Sequence, residues 1–131
     1  MNGSVIVDTS LVLDILASVP NIAEAVEKRG TILHAPYALD LEFMNVLRNR
    51  WLLRLISFQE GKRLIRELEN MIAVRHPHDE LLDRAWELRD NVTAYDSFFV
   101  ALAERLDIPL LTRDRRLARS SGHSARIEFI E

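Results

Sequence analysis

The sequence predicts an α/β domain of three layers, with helices on both faces of a central, mostly parallel sheet of five strands. Three observations carry this reading. Short aliphatic runs alternate with longer segments of helical periodicity, in the order βααβααβααβαβ. The strand-like runs are uniformly apolar, as strands covered on both faces are. Apolar content of 48% and charged content of 28% are ordinary for a globular chain, and no repeat, linker or low-complexity tract interrupts it. At 131 residues the chain is read as a single domain, residues 1–131.

Ser4-Val5-Ile6-Val7 is the first strand and ends on Asp8-Thr9-Ser10, where Ser10 can cap the apolar turn Leu11–Leu16. Asp8 then stands at the carboxyl end of a strand, the usual ligand edge of an open α/β sheet, although a capping role alone would also explain it. Pro20 and Asn21 restart a helix through Ile22, Ala25 and Val26 to Gly30, a good residue just past a helix end. Residues 31–35 form the second strand, closed by Pro36. Tyr37–Arg54 is the longest helical pattern, and the spacing of Tyr37, Leu41, Met44, Leu47, Trp51 and Leu55 predicts its buried face. Beside that face lies a polar stripe of Glu42, Asn45 and Asn49, which suits either solvent or a site at the strand edge.

Ser57-Phe58-Gln59-Glu60 is a capping box that opens a helix through Leu64, Ile65, Leu68 and Met71. Ile72-Ala73-Val74 is expected as the third strand. His76-Pro77-His78 lacks a third ligand at metal-site spacing and reads as loop histidines. Asp79 caps the helix of Leu81, Leu82, Ala85, Trp86 and Leu88. Asp96 takes a cap position before Phe98, Phe99, Ala101, Leu102, Ala103 and Leu106, and Asp107-Ile108-Pro109 ends that helix. Pro109–Thr112 is a buried-type strand, Arg115–Ser121 a short basic helix ended by Gly122, and Arg126–Ile130 the last strand.

Several function classes are excluded or disfavoured. No apolar run reaches the roughly 20 residues of a membrane span, and no signal peptide opens the chain, so a cytoplasmic protein without membrane contact is expected. With no cysteine there is neither a disulfide framework nor a thiolate metal site. A net charge of −3 does not by itself advertise nucleic-acid binding. Arginine nevertheless outnumbers lysine fifteen to two and bunches at Arg48, Arg50 and Arg54 and at Arg113, Arg115, Arg116 and Arg119. Arginine is the better phosphate fork.

Chain geometry then gathers the acids. A helix of ten or eleven residues rises about 15 Å, and the strand and turn that follow return most of it, so Asp114 comes back to the level of Asp96. Right-handed crossovers place the strand-to-helix turns on one edge. Asp8, Asp96 and Asp114 therefore meet there with Glu42 adjacent. Such a cluster raises its own pKa values and costs stability unless a divalent cation offsets the charge. Oxygen donors without sulfur point to Mg²⁺ or Mn²⁺.

These residues carry a resemblance. The spelling VDTS at residues 7–10, Pro36 with Glu42, NVLR at 45–48, and YDSFFVALAERLDIPLLTRDRRLA from Tyr95 resemble the PIN-domain ribonucleases, above all the VapC-type toxins of toxin–antitoxin pairs. The likeness spans nearly the whole chain. It implies a five-stranded parallel sheet and a metal site of Asp8, Glu42, Asp96 and Asp114. Thr112, in the family's TxD motif, and Thr9 or Ser10 then stand as supporting polar residues, and Asn45 is placed with them. The expected activity is Mg²⁺- or Mn²⁺-dependent hydrolysis of an RNA phosphodiester, leaving a 5′-phosphate and a 3′-hydroxyl. Arg113, Arg115 and Arg116 are expected to meet substrate phosphates, though a solvated surface helix explains each of them singly. The resemblance also implies a homodimer and an antitoxin partner, with an apolar groove near Trp51 and Phe58 to receive it. Two other readings stand beside this one. A phosphatase with Asp8 as nucleophile would carry a second acid two residues on, where Ser10 stands. A non-catalytic interaction domain would leave the acids unexplained.

Overall fold

The computed structural model describes residues 3–131. In chain order the elements are β1 (Ser4–Val7), α1 (Thr9–Leu16), α2 (Ile22–Glu27), β2 (Ile32–Pro36), α3 (Ala38–Leu52), α4 (Phe58–Met71) and β3 (Val74–His76). A 3₁₀ turn (Asp79–Leu81) then leads into α5 (Leu82–Glu87), followed by α6 (Ala94–Leu106), β4 (Leu110–Thr112), α7 (Arg115–Ala118) and β5 (Ile127–Phe129). The expected order of strands and helices is the observed one.

The sheet runs β3-β2-β1-β4-β5 and every pairing is parallel. The chain winds outward from β1 to β3, then returns to lay β4 on the other side of β1. Right-handed crossovers put α1–α4 on one face and α5–α7 on the other. β1 and β4 pair at the centre of the winding, and Val5, Ile6, Val7, Leu110 and Leu111 are wholly buried between the helix layers. Their apolar runs are continuous because neither face meets water. Where the chain reverses its winding, between β1 and β4, the carboxyl ends of the strands open a crevice. Gly30 is needed behind it: a Cβ there would stand 2.7 Å from the Gly3 carbonyl oxygen, so only glycine lets the chain leaving α2 pass the foot of β1.

Three local expectations are corrected. The third strand begins at Val74 and not at Ile72, because α4 carries its ladder through the Ile72 amide to the Leu68 carbonyl and buries Ile72 as a packing residue. The Arg115 helix stops at Ala118, short of the predicted end at Ser121. The largest correction concerns α3. Its core face is Leu39, Phe43 and Leu47 with Ala38, whereas Tyr37, Leu41, Met44, Trp51 and Leu55 are between 47% and 67% exposed. Both stripes are apolar at helical spacing, so periodicity alone could not rank them. The capping box of Ser57 and Glu60 on α4 is present with both reciprocal hydrogen bonds.

The histidines of the 76–78 segment serve the frame. His76 closes β3 and shares a 2.9 Å hydrogen bond with His34, whose other ring nitrogen meets Ser4. His78 accepts the Ala38 amide at 2.7 Å and so caps the start of α3.

Candidate active site

Each acid is positioned by its local backbone. Asp8 follows β1 and caps α1: its Oδ1 accepts the Leu11 amide at 3.0 Å and the Ser10 hydroxyl at 2.8 Å. Its Oδ2 accepts the Thr112 hydroxyl from the end of β4. Thr112 Oγ1 in turn accepts the Asp114 amide at 2.9 Å. Ser10 spans the same gap a second time, taking the Arg113 amide at 3.2 Å while donating to Asp8. The two loops that leave β1 and β4 are therefore tied by two hydroxyls. Asp114 caps α7 through the Arg116 amide at 2.9 Å. Glu42, on the second turn of α3, is oriented by a 2.7 Å hydrogen bond from Thr9.

Asp96 corrects the sequence reading in detail. The cap of α6 is Thr93, whose hydroxyl accepts the Asp96 amide, and Asp96 lies in the first turn. Its carboxylate still sits at the helix N-terminus, where the dipole favours negative charge. The Thr-x-x-Asp spacing at 93–96 is a capping signal that could have been read from the sequence.

Three of the four carboxylates, Asp8, Glu42 and Asp96, have raised pKa values. Burial pushes Asp8 up to about 6, with the hydrogen bonds from Thr112, Leu11 and Ser10 opposing and Asp96 adding to the rise. Glu42 is raised by burial, by Asp96 and by Asp8, against the Thr9 hydrogen bond. Asp96 is raised by burial and by Asp114, with Thr93 and Arg116 pulling it back. None of the four takes part in an ion pair among the described residues. Beside Asp96 and Asp114 opens a cavity of about 100 Å³, whose polar wall adds Asn91, Thr93, Arg116 and Ser120. Asn91 and Ser120 lie in segments without a motif, and nothing in the sequence marks them.

The predicted arginines separate. Arg116 is exposed beside Asp96 and Asp114. Arg115 lies over the Phe129 ring, 4.2 Å from its centroid. Arg113 is tied into the frame: Nε binds Asp14 at 2.9 Å and Nη1 binds the Ile130 carbonyl at 2.8 Å. Asn45 is exposed and makes no side-chain hydrogen bond among the described residues.

A model of the PIN domain matches residues 5–122. Over 130 residues the chain is 39% identical to Ribonuclease VapC1 of Mycobacterium tuberculosis, covering 95% of this chain and 96% of that one. It is 35% identical over 127 residues to Ribonuclease VapC12 of the same species, covering 96% and 98%. The chain therefore belongs to the PIN-domain family, among the VapC ribonucleases. Its fold is also that of the DNA-bound VapBC of Salmonella typhimurium, with a TM-score of 0.72 at 15% identity over 96% of this chain and 97% of that one.

Proposed function

We propose that this chain is a divalent-metal-dependent endoribonuclease and the toxin of a toxin–antitoxin pair. The observation that carries the reading is the gathering of Asp8, Glu42, Asp96 and Asp114 at the switch point of the sheet, without a basic partner in ion-pair contact among the described residues. Its relatives VapC1 and VapC12, named as ribonucleases, supply the reaction class.

Among the described residues no three His, Asp or Glu side chains already stand as a closed ligand group. The donor chemistry nevertheless fits a hard cation such as Mg²⁺ or Mn²⁺, because every donor is a carboxylate oxygen and burial with mutual repulsion raises the pKa values of Asp8, Glu42 and Asp96. Asp8, Asp96 and Asp114 would hold the ion, with Glu42 on its flank. When bound, a divalent ion supplies neutralisation of phosphate charge and acidification of water.

The chain's own residues do the rest. Ser10, Thr112 and the Leu11 amide fix the Asp8 carboxylate in one orientation, and Thr9 fixes Glu42. Arg116 stands beside the acids to meet a substrate phosphate. The phosphatase reading is disfavoured, since the second acid it needs two residues after Asp8 is replaced by Ser10, whose hydroxyl donates to the Asp8 carboxylate.

Partners follow from the surface. Between α3 and α4 lies an apolar groove of about 180 Å³, lined by Met44, Leu47, Trp51, Phe58 and Ile65. Trp51 and Phe58 are 53% and 63% exposed. An antitoxin segment with apolar anchors fits this groove. A homodimer is proposed with it, because the exposed stripe of α3 extends beyond the groove to Tyr37 and Leu41. No helix among the described residues is long and apolar enough to cross a membrane.

The test is to incubate the purified protein with tRNA and ribosomal RNA, with Mg²⁺ or Mn²⁺ and with EDTA. Cleavage that EDTA abolishes and Asp96→Asn removes, with the fold intact, supports the reading. Cleavage by Asp96→Asn at the parent rate would overturn the site.

A further inference from the structure

A further cavity, of about 360 Å³, lies between α5 and α6 and adjoins the acid cavity without containing any of its carboxylates. We propose that it is a nucleobase subsite, taking one unpaired base of the RNA strand beside the scissile phosphate. The inference rests on the ribonuclease reading and deepens it.

Four observations place a base there. The cavity shares Val92 and Thr93 with the acid cavity, so a strand whose phosphate lies at Asp96 and Asp114 has its neighbouring nucleotide within reach. Its wall is aromatic and aliphatic, with Trp86, Phe98 and Leu82 among the lining residues. Trp86 is 68% exposed, which leaves an indole face open to solvent. The one ionised side chain in the lining is Arg89, whose guanidinium lies 4.6 Å from the centroid of the Trp86 ring.

The chemistry of RNA recognition uses these groups together. Unstacked bases bind on aromatic faces and guanidinium planes, and basic side chains follow the backbone. Arg89 is held over Trp86 by a 3.0 Å hydrogen bond from Nη1 to the Trp86 carbonyl and joins no ion pair among the described residues. It therefore stiffens the indole and places a positive charge at the mouth of an otherwise uncharged cavity. Phe98 is fixed from behind by the His78 ring, 4.6 Å away centroid to centroid, and lies two residues after Asp96 on α6. The helix that carries a site carboxylate thus also carries one wall of the base cavity. A protein segment would fit the apolar wall equally well, but the adjoining acid cavity would have no role in binding it.

The experiment uses the full chain in the cleavage-dead Asp96→Asn background. An oligoribonucleotide cut by the parent is prepared with a single abasic residue at each position in turn. With Trp86 present, loss of the base at one or two positions next to the cut weakens binding about tenfold or more, the effect of losing one stacked base. Trp86→Ala removes that position-specific penalty, while Trp86→Phe retains most of it. In a Trp51→Phe background, RNA with the base, but not the abasic strand, quenches the remaining indole fluorescence. Trp86 is exposed, so both of its variants keep the parent melting temperature. An abasic penalty that is the same with Trp86 and in the Trp86→Ala variant overturns the subsite. So does a Trp86→Ala protein that loses its oligomeric state or its antitoxin but binds RNA unchanged, since the cavity then serves a protein partner. If the parent shows neither RNA cleavage nor RNA binding, the ribonuclease reading itself falls, and the subsite with it.

Discussion

The hydroxyl of Thr112 donates to the carboxylate of Asp8 across the gap between β4 and β1. Its direction is set: the Asp114 amide occupies a lone pair of the hydroxyl oxygen at 2.9 Å, which leaves the proton for Asp8. That hydrogen bond favours the ionised carboxylate against the burial that drives its pKa up to about 6. Thr112→Val should raise the Asp8 pKa further and lower cleavage near neutral pH by about 10–100-fold, the usual effect of removing a ligand's supporting partner. The acidic limb of the pH–rate profile should move to higher pH. Thr112→Ser should restore both. A Thr112→Val protein with the parent profile would show that the threonine only closes the turn.

Asp8 costs stability so long as it is ionised. Its folded pKa lies above the usual carboxylate value, so the folded state resists the charge it carries at neutral pH. Asp8→Asn keeps the shape and an oxygen to accept the Leu11 amide. In EDTA at neutral pH, denaturant unfolding should show it more stable than the parent by about 1–3 kcal/mol. A less stable variant would mean that the carboxylate is needed for folding and not only for chemistry.

Glu104 works in the opposite sense. It accepts Nε and Nη2 of Arg84 at 2.7 and 2.9 Å and the Ser124 amide at 2.9 Å, tying α5 and the approach to β5 onto α6. The Arg84 hydrogen bonds hold its pKa down to about 2 against the desolvation that opposes them. A folded pKa below the unfolded one contributes stability that is complete above pH 4.5 and is lost as pH falls toward about 2. Glu104→Gln should cost about 2 kcal/mol at neutral pH, discounted for the partial exposure of Arg84, and the difference should vanish in acid. Urea titrations at neutral pH and in acid check this. Equal losses in both would assign the effect to packing.

The basic cluster should divide by role. Arg113 binds Asp14 and the Ile130 carbonyl, so Arg113→Ala should lower stability by about 1–2 kcal/mol. Arg116 stands beside the acids without an ion pair, so Arg116→Ala should leave the melting temperature alone. It should instead weaken RNA binding and reduce the salt slope by about one charge. RNA titrations across a salt series, in the Asp96→Asn background, separate the two. An Arg116→Ala protein with the parent slope would move the phosphate contacts elsewhere, to Arg48, Arg50 and Arg54.

Strand and helix order and the parallel sheet were determined by the sequence itself, and Asp8, Glu42, Asp96 and Asp114 were expected from it at one edge of that sheet. They follow from local signals: apolar runs of strand length, caps and proline breaks, and a fixed rise per residue that returns Asp114 to the level of Asp96. What only the tertiary structure decided concerns which of several locally equivalent groups faces what. On α3, Leu39-Phe43-Leu47 and the stripe through Leu41, Met44 and Trp51 are both apolar at helical spacing. Only the anchoring of the helix beside β2, with Glu42 on Thr9, turns the first inward and leaves the second exposed. On the segment after β4, Arg113 and Arg116 are close in sequence and chemically identical. Arg113 meets Asp14, 99 positions away, and becomes a staple. Arg116 meets no partner of opposite charge within ion-pair distance among the described residues and remains at the cavity with Asp96 and Asp114. Local pattern encodes element and periodicity, but a side chain's partner across the fold is chosen by packing, which no window of sequence contains.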